Sequence, residues 1–225
     1  MTTGSDGLAA TPAEPRIDTE DLAQVEAGRR LVIQYLNEAL STERALVTTL
    51  RTHIGMTPEG EYRGILERHI GETQEQANAV ERRLDELGAG GGLIATGTGI
   101  AQSLVGQGLA LSKGPVDLLR GKSGEEKLLK NAKDEFATEA LEIATYLALE
   151  SLAAAVGDDK TAQLASRHRA QEERMLADLR RLLPSLTIAA VRSLAAGHPT
   201  YDATTTGAAD ILRRAREKAA EVGNR

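Results

Sequence analysis

The chain has 225 residues, a length suited to one domain with extra material at its ends. Hydrophobic residues make up 41% and aromatics only 2%, so any core must be built from Leu, Ala, Val and Ile, which suits packed helices better than a sheet. Cysteine is absent, which excludes disulfides, thiolate metal sites and thiol catalysis and fits a cytoplasmic location; the net charge of −6 offers no footprint for nucleic acid.

Residues 1–18 are rich in Thr, Gly, Ala and Pro and lack the pattern of a secretory leader, so a disordered N-terminal segment is expected there. Residues 19–196 then carry four long helical patterns. The first runs from Thr19 or Gly28 to Ile54, on the stripe Val32, Leu36, Leu40, Glu43, Val47, Leu50 and Ile54. Gly55 ends it, and Thr57 with Pro58 reads as the cap and first residue of the second helix. That helix carries the stripe Leu66, Ile70, Thr73, Ala77, Val80, Leu84 and Leu87, and Gly88 stops it.

Residues 88–122 form a long crossover. The stretch from Leu87 to Lys113 holds eight glycines and no charge before the lysine. Its glycines, threonines and glutamines argue against a membrane-spanning helix, and Gln102 breaks the glycine pattern of a dinucleotide loop. It is expected to lie over the bundle at a subunit contact, in a homo-oligomer such as a dimer. Ser123 and Glu126 form a capping box that opens the third helix, with the stripe Leu128, Ala132, Phe136, Glu139, Ile143, Tyr146, Glu150 and Ala153. Gly157 stops it. Asp158 or Asp159 caps the fourth helix, whose stripe is Thr161, Ala165, His168, Glu172, Met175, Leu179 and Leu182, and Pro184 interrupts or ends it.

Short connections make helices one and two, and helices three and four, antiparallel neighbours. The fold expected is an all-α antiparallel four-helix bundle with one long crossover between helices two and three. A shift of 99 residues places Glu43 on Glu142 and Arg68-His69 on Arg167-His168, a weak internal repeat of the two hairpins. Residues 197–207 read as a linker, and 208–225 as a C-terminal helix with Arg213, Arg214, Arg216 and Lys218, packed through Ile211, Leu212 and Ala215.

Several stripe positions are polar. Glu43, Glu139, His168 and Glu172 sit in apolar stripes, His69 borders one, and Glu72 lies further round the same side. A lone stripe acid is most simply neutral, solvated or paired with arginine. Here every helix supplies a candidate near mid-length, where antiparallel helices bring their centres to one level. Carboxylate oxygen with a minority of imidazole nitrogen suits iron or manganese. Glu142 competes with Glu139, because three residues apart both can face one site. Tyr146 reads as a core tyrosine with a satisfied hydroxyl. Glu135 and Glu150 read as salt-bridged or solvated, Glu75 as solvated, and His53 and His198 as solvent-facing.

The segments LNEALSTERAL (Leu36 to Leu46), HIGETQEQ (His69 to Gln76), EALEIATY (Glu139 to Tyr146) and HRAQEE (His168 to Glu173) resemble the ferritin-like superfamily, in particular a bacterial branch of uncharacterised, stress-associated members. The resemblance covers about Val32 to Leu183. It implies a dinuclear iron or manganese site held by Glu43, Glu72, Glu139 or Glu142, and Glu172, and oxidation of ferrous iron with oxygen or peroxide. Such sites commonly use Glu-x-x-His in helices two and four. Here Glu75 and Met175 stand at the histidine positions, and His69 and His168 precede their acids instead. That departure leaves open a rearranged site, a single ion or none. The competing reading is a metal-free bundle acting as a stress or interaction module.

Overall fold

The computed structural model describes residues 21–90 and 124–223, the last two of these by backbone only. The expected N-terminal segment, most of the crossover and the Ser123 cap lie outside the described residues. Among the described residues, five helices carry the fold: α1 (Leu22–Met56), α2 (Glu61–Glu86), α3 (Gly124–Ala155), α4 (Asp159–Ala196) and α5 (Gly207–Gly223), with a 3-10 turn at Ala203–Thr205. No described helix is long and apolar enough to cross a membrane.

Side-chain caps set the helix boundaries. Asp21 opens α1, its Oδ1 accepting from the Ala23 amide at 2.9 Å. Thr57 and Pro58 do not open α2 as the sequence predicts. Thr57 closes α1, donating through Oγ1 to the His53 carbonyl at 2.7 Å, and α2 starts only at Glu61 after Gly60. Pro58 is held in a bridge with Thr206, a distant contact that local spacing does not encode. Gly157, at φ 72, turns the chain out of α3 without the steric penalty a side chain would carry there. Asp158 then caps α4, accepting from the Thr161 amide at 3.1 Å. Pro184 does not end α4. It removes one backbone donor, while Leu179, Leu182, Ala190 and Ser193 on either side of it stay buried and keep the helix together.

Around the bundle, α1 packs on α2 and α3, and α4 on α3 and α2. The core divides into two apolar lobes along the bundle axis. One contains Leu36, Leu40, Val80, Leu84, Leu149 and Leu164. The other contains Leu46, Leu50, Leu66, Leu128, Met175 and Leu179. Chain direction follows from lobe membership. α1 and α4 run from the first lobe to the second, and α2 and α3 run back. α2 therefore ends beside the first lobe and α3 begins beside the second, so the connection between them joins opposite ends of the bundle. This is the expected four-helix arrangement with one long crossover.

The C-terminal region departs from expectation. Ile211 and Leu212 are 66% and 59% exposed, so α5 is not packed through its apolar face. Its first turn anchors it instead. Arg63 pairs with Asp210 at 2.5 Å and donates to the Thr205 carbonyl at 2.9 Å. The Gly207 amide reaches the Thr57 carbonyl at 3.3 Å, and a side chain at Gly207 would collide with the Ile54 carbonyl. The segment before α5 is also tied down: Glu125, buried at the start of α3, accepts from the Thr200 amide and hydroxyl, both at 2.5 Å.

The two lobes should fail independently. Leu36→Ala and Leu179→Ala, each fully buried in a different lobe, should each cost about 2–5 kcal/mol, and the double variant should lose close to the sum in urea unfolding.

Candidate metal centre

Between the lobes lies a polar layer to which all four long helices contribute. α1 supplies Glu43, between Leu40 and Leu46; α3 supplies Glu139 and Glu142; α4 supplies His168 and Glu172. On α2 the inward face is His69, Thr73 and Gln76, and Ile70 is only half-buried. Glu43, His69, Glu139, Glu142 and Glu172 are each at most 2% exposed. No Lys or Arg pairs with these four acids among the described residues; the opposite charge available to them is His69.

His69 Nε2 lies 3.0 Å from Glu139 Oε1 and 3.8 Å from Glu172 Oε2. One donor atom from each of His69, Glu139, Glu142 and Glu172 falls within 4.8 Å of every other. Neighbouring side chains each occupy one oxygen of a carboxylate. Gln76 donates to Glu172 Oε1, and the Tyr146 hydroxyl donates to Glu43 Oε1. The opposite oxygens, Glu172 Oε2 and Glu43 Oε2, are buried without a hydrogen-bond partner, as are Glu139 Oε2 and both oxygens of Glu142. Native interiors rarely leave such groups unmatched. Converging carboxylate oxygens beside one imidazole nitrogen could hold a metal ion, and the residues fit one.

Burial drives the electrostatics. Desolvation, then the negative charge of Glu172, raises the Glu43 carboxyl from 4.5 to about 8. Desolvation likewise pushes Glu139 and Glu142 well above the usual carboxylate range, and for Glu142 the charges of Glu43 and Glu172 add to it. Desolvation works against the charged form of His69, but the hydrogen bond to Glu139 and the nearby carboxylates of Glu72 and Glu172 outweigh it and raise this group. His168 goes the other way. Burial and then Arg167 lower it to about 4, and its ring meets Tyr146 edge-on, centroids 5.1 Å apart.

The structure thus brings together Glu139, Glu142, Glu172 and His69, with Glu43 alongside through its interaction with Glu172. It does not bring Glu72 into the cluster. That carboxylate is half-buried at the rim, 3.8 Å from His69 Nδ1 and 4.0 Å from Arg174, because its position on α2 points to the edge of the bundle. His168 lies in the layer with Nδ1 buried and unpaired, outside the group of four. Tyr146 has its satisfied hydroxyl, Glu150 its partner in Arg169 at 3.0 Å, and Glu75 its exposure, as expected. Glu135, 1% exposed, is salt-bridged to His53 at 2.5 Å, the first of its two expected states. One expectation needs correction: His53 is not solvent-facing but turned to Glu135, with 11% of its side chain exposed. Sequence reasoning also passed over Gln76. The steps of four and three through His69, Thr73 and Gln76, and through Leu46, Leu50 and His53, were the available signal.

The profile of the family described as "Domain of unknown function (DUF892)" matches residues 29–192, which contain every residue of the cluster. A crystal structure of a protein from Xanthomonas campestris pv. campestris is similar at a TM-score of 0.58 and 21% identity, over 75% of this chain and 99% of that one. YcfI from Rhodopseudomonas palustris, provisionally described as a structural protein, is similar at a TM-score of 0.53 and 18% identity, over 75% of this chain and 96% of that one. At these identities the likeness is one of fold. No curated protein matches the chain.

The cluster makes metal-free stability depend on pH. Glu43, Glu139, Glu142 and His69, all raised on folding, contribute stability that is full below their unfolded values and lost as pH rises through the folded ones. His168, lowered from 6.5 to about 4, loses its contribution only as pH falls below 6.5. Between pH 6.5 and about 8 the first group therefore acts alone. The metal-free protein should lose thermal stability across that window, by on the order of 1–2 kcal/mol from Glu43. Glu43→Gln should flatten the slope in calorimetry.

Proposed function

The chain belongs to the DUF892 family, and on that premise we propose that it is a ferritin-like di-metal carboxylate protein that oxidises ferrous iron with oxygen or peroxide in stress defence. The observation that carries the reading is Glu142, whose two oxygens are both buried and unmatched beside Glu139, Glu172 and His69. A bundle core has little reason to hold such a group unless a cation meets it. Charge supports two ions. Glu43, Glu139, Glu142 and Glu172 carry four negative charges when ionised, which two divalent cations neutralise. Bound iron or manganese supplies the redox capacity, and ferrous iron is the substrate.

The chain's own groups hold and orient. His69 Nε2, Glu139, Glu142 and Glu172 would hold one ion, and Glu43, beside Glu172, would contribute to holding a second. Gln76 and Tyr146 each fix one oxygen of a carboxylate and leave the other turned inward. Glu72, at His69 Nδ1, orients the imidazole and raises its basicity, as carboxylates behind metal-bound histidines do. The apolar lobes on either side exclude water. Loading requires the raised acids to give up protons, so affinity rises with pH.

A metal-free bundle serving an interaction role is the second reading, favoured by the raised Glu43, Glu139 and Glu142, which allow the layer to fold neutral. One variant separates the two. On the metal reading, elemental analysis after anaerobic reconstitution finds about two iron or manganese per chain. Glu142→Leu should abolish that binding and raise the melting temperature of the metal-free protein, since an apolar side chain replaces an unmatched buried acid. Absence of stoichiometric metal in the reconstituted wild type would end the metal reading. Metal without faster ferrous oxidation than in buffer would end the oxidase reading alone.

A further inference from the structure

The two lobes flanking the centre differ. Among the described residues, the lobe around Leu36 and Leu149 contains no buried acid; its buried ionisable side chains, Tyr146 and His168, meet ring to ring. Beside the lobe around Leu50 and Leu179 lie two buried acids, Glu125, bound by Thr200 at the start of α3, and Glu135. Glu135 stands one turn, about 6 Å, before Glu139 on the inner face of α3. Its charge acts on Glu142, so it is electrostatically continuous with the centre.

Glu135 is only half satisfied. Its Oε1 meets His53 Nδ1 at 2.5 Å, whereas Oε2 is buried and has no partner. Tyr62, 5% exposed at the start of α2, also has an unmatched hydroxyl, and it feels the charge of Glu135. A purely structural His–Glu bond inside an apolar lobe would gain by pairing these groups. Instead a carboxylate oxygen beside an imidazole is left without a partner, and the unmatched Tyr62 hydroxyl lies within the field of that carboxylate. His53 has 11% of its side chain exposed, which gives the group an outer edge. Of His53, Glu135, Glu139 and Glu142, His53 is the most exposed.

We propose that His53, Glu135 and Tyr62 form a transit site for a divalent cation, through which metal passes from solvent to the mid-bundle centre. The inference rests on the metal centre proposed above and adds the route of loading. His53 takes the partly dehydrated ion at the rim. Glu135 supplies the charge that makes its passage through an apolar lobe affordable, and the Tyr62 oxygen completes the contact. From Glu135 the ion moves one helical turn to Glu139. Among the described residues, the opposite lobe has no buried acid to serve as such a step.

The test is stopped-flow loading of the metal-free full-length protein with Co²⁺, read by its visible absorption, alongside the equilibrium stoichiometry. Glu135→Gln preserves shape and a hydrogen bond to His53 but removes the charge; His53→Gln alters only the rim. Both variants should load about tenfold more slowly or worse, since a charged path raises on-rates by that order, with final stoichiometry unchanged. Wild-type loading rates in both variants would overturn the transit site and leave the centre standing. A loss of final stoichiometry in His53→Gln, which lies away from the centre, would also overturn it, by making the pair structural. A wild type that takes up no Co²⁺ at equilibrium would remove the centre itself and the route with it. Circular dichroism and melting temperature establish that each variant is folded.

Discussion

Four carboxylates held in one dry layer, with a single imidazole as countercharge, govern the energetics of this bundle. Glu43, Glu139, Glu142 and Glu172 are almost wholly withdrawn from water, and Glu43, Glu139 and Glu172 each raise the cost of ionising at least one of the others. Such a layer has two ways to relax. Protons neutralise it locally, or cations neutralise it while also matching the orphaned oxygens. Protons and cations therefore compete for the same groups, and the folded state is linked to both. The lobes on either side keep the layer from a third escape, hydration.

The groups around the layer look designed for the cationic solution. Gln76 and Tyr146 bind one oxygen of Glu172 and of Glu43 from outside, leaving the inner oxygens unmatched. Glu72 stands behind His69 in the same sense. All these residues project from long helices, whose packed backbones hold donor atoms in place better than loops do. The sequence repeat of 99 residues pairs His69 with His168, yet the two imidazoles differ in chemistry. His69 is surrounded by acids and is raised; His168 meets the Tyr146 ring and Arg167 and is lowered. Equivalent positions in two hairpins acquire different roles because the neighbours across the bundle are not equivalent.

Helical periodicity made much of this legible in advance. Glu43, Glu139, His168 and Glu172 fall on their stripes and are buried, and the two hairpins with a long crossover follow from loop lengths. The errors came from contacts that no local pattern encodes. Thr57 and Pro58 imitate a helix start, but Thr57 closes α1 and Pro58 pairs with Thr206. Ile211 and Leu212 imitate a packed face, but α5 is held only by its first turn. His53 looks like an ordinary surface residue until α1 and α3 are placed side by side.

The sequence by itself determined the helices, their antiparallel pairing and the level at which polar groups interrupt the core, because a period of 3.6 residues and the lengths of the connections are local properties. Tertiary structure alone decided which of those groups meet. It admitted both Glu139 and Glu142, moved Glu72 to the rim and drew in Gln76. Rotation of a helix about its axis by one residue turns a side chain by about 100°, and that rotation is set by packing against the neighbouring helices at once. The same packing decided which oxygens remained unmatched, and with them where a cation can be held.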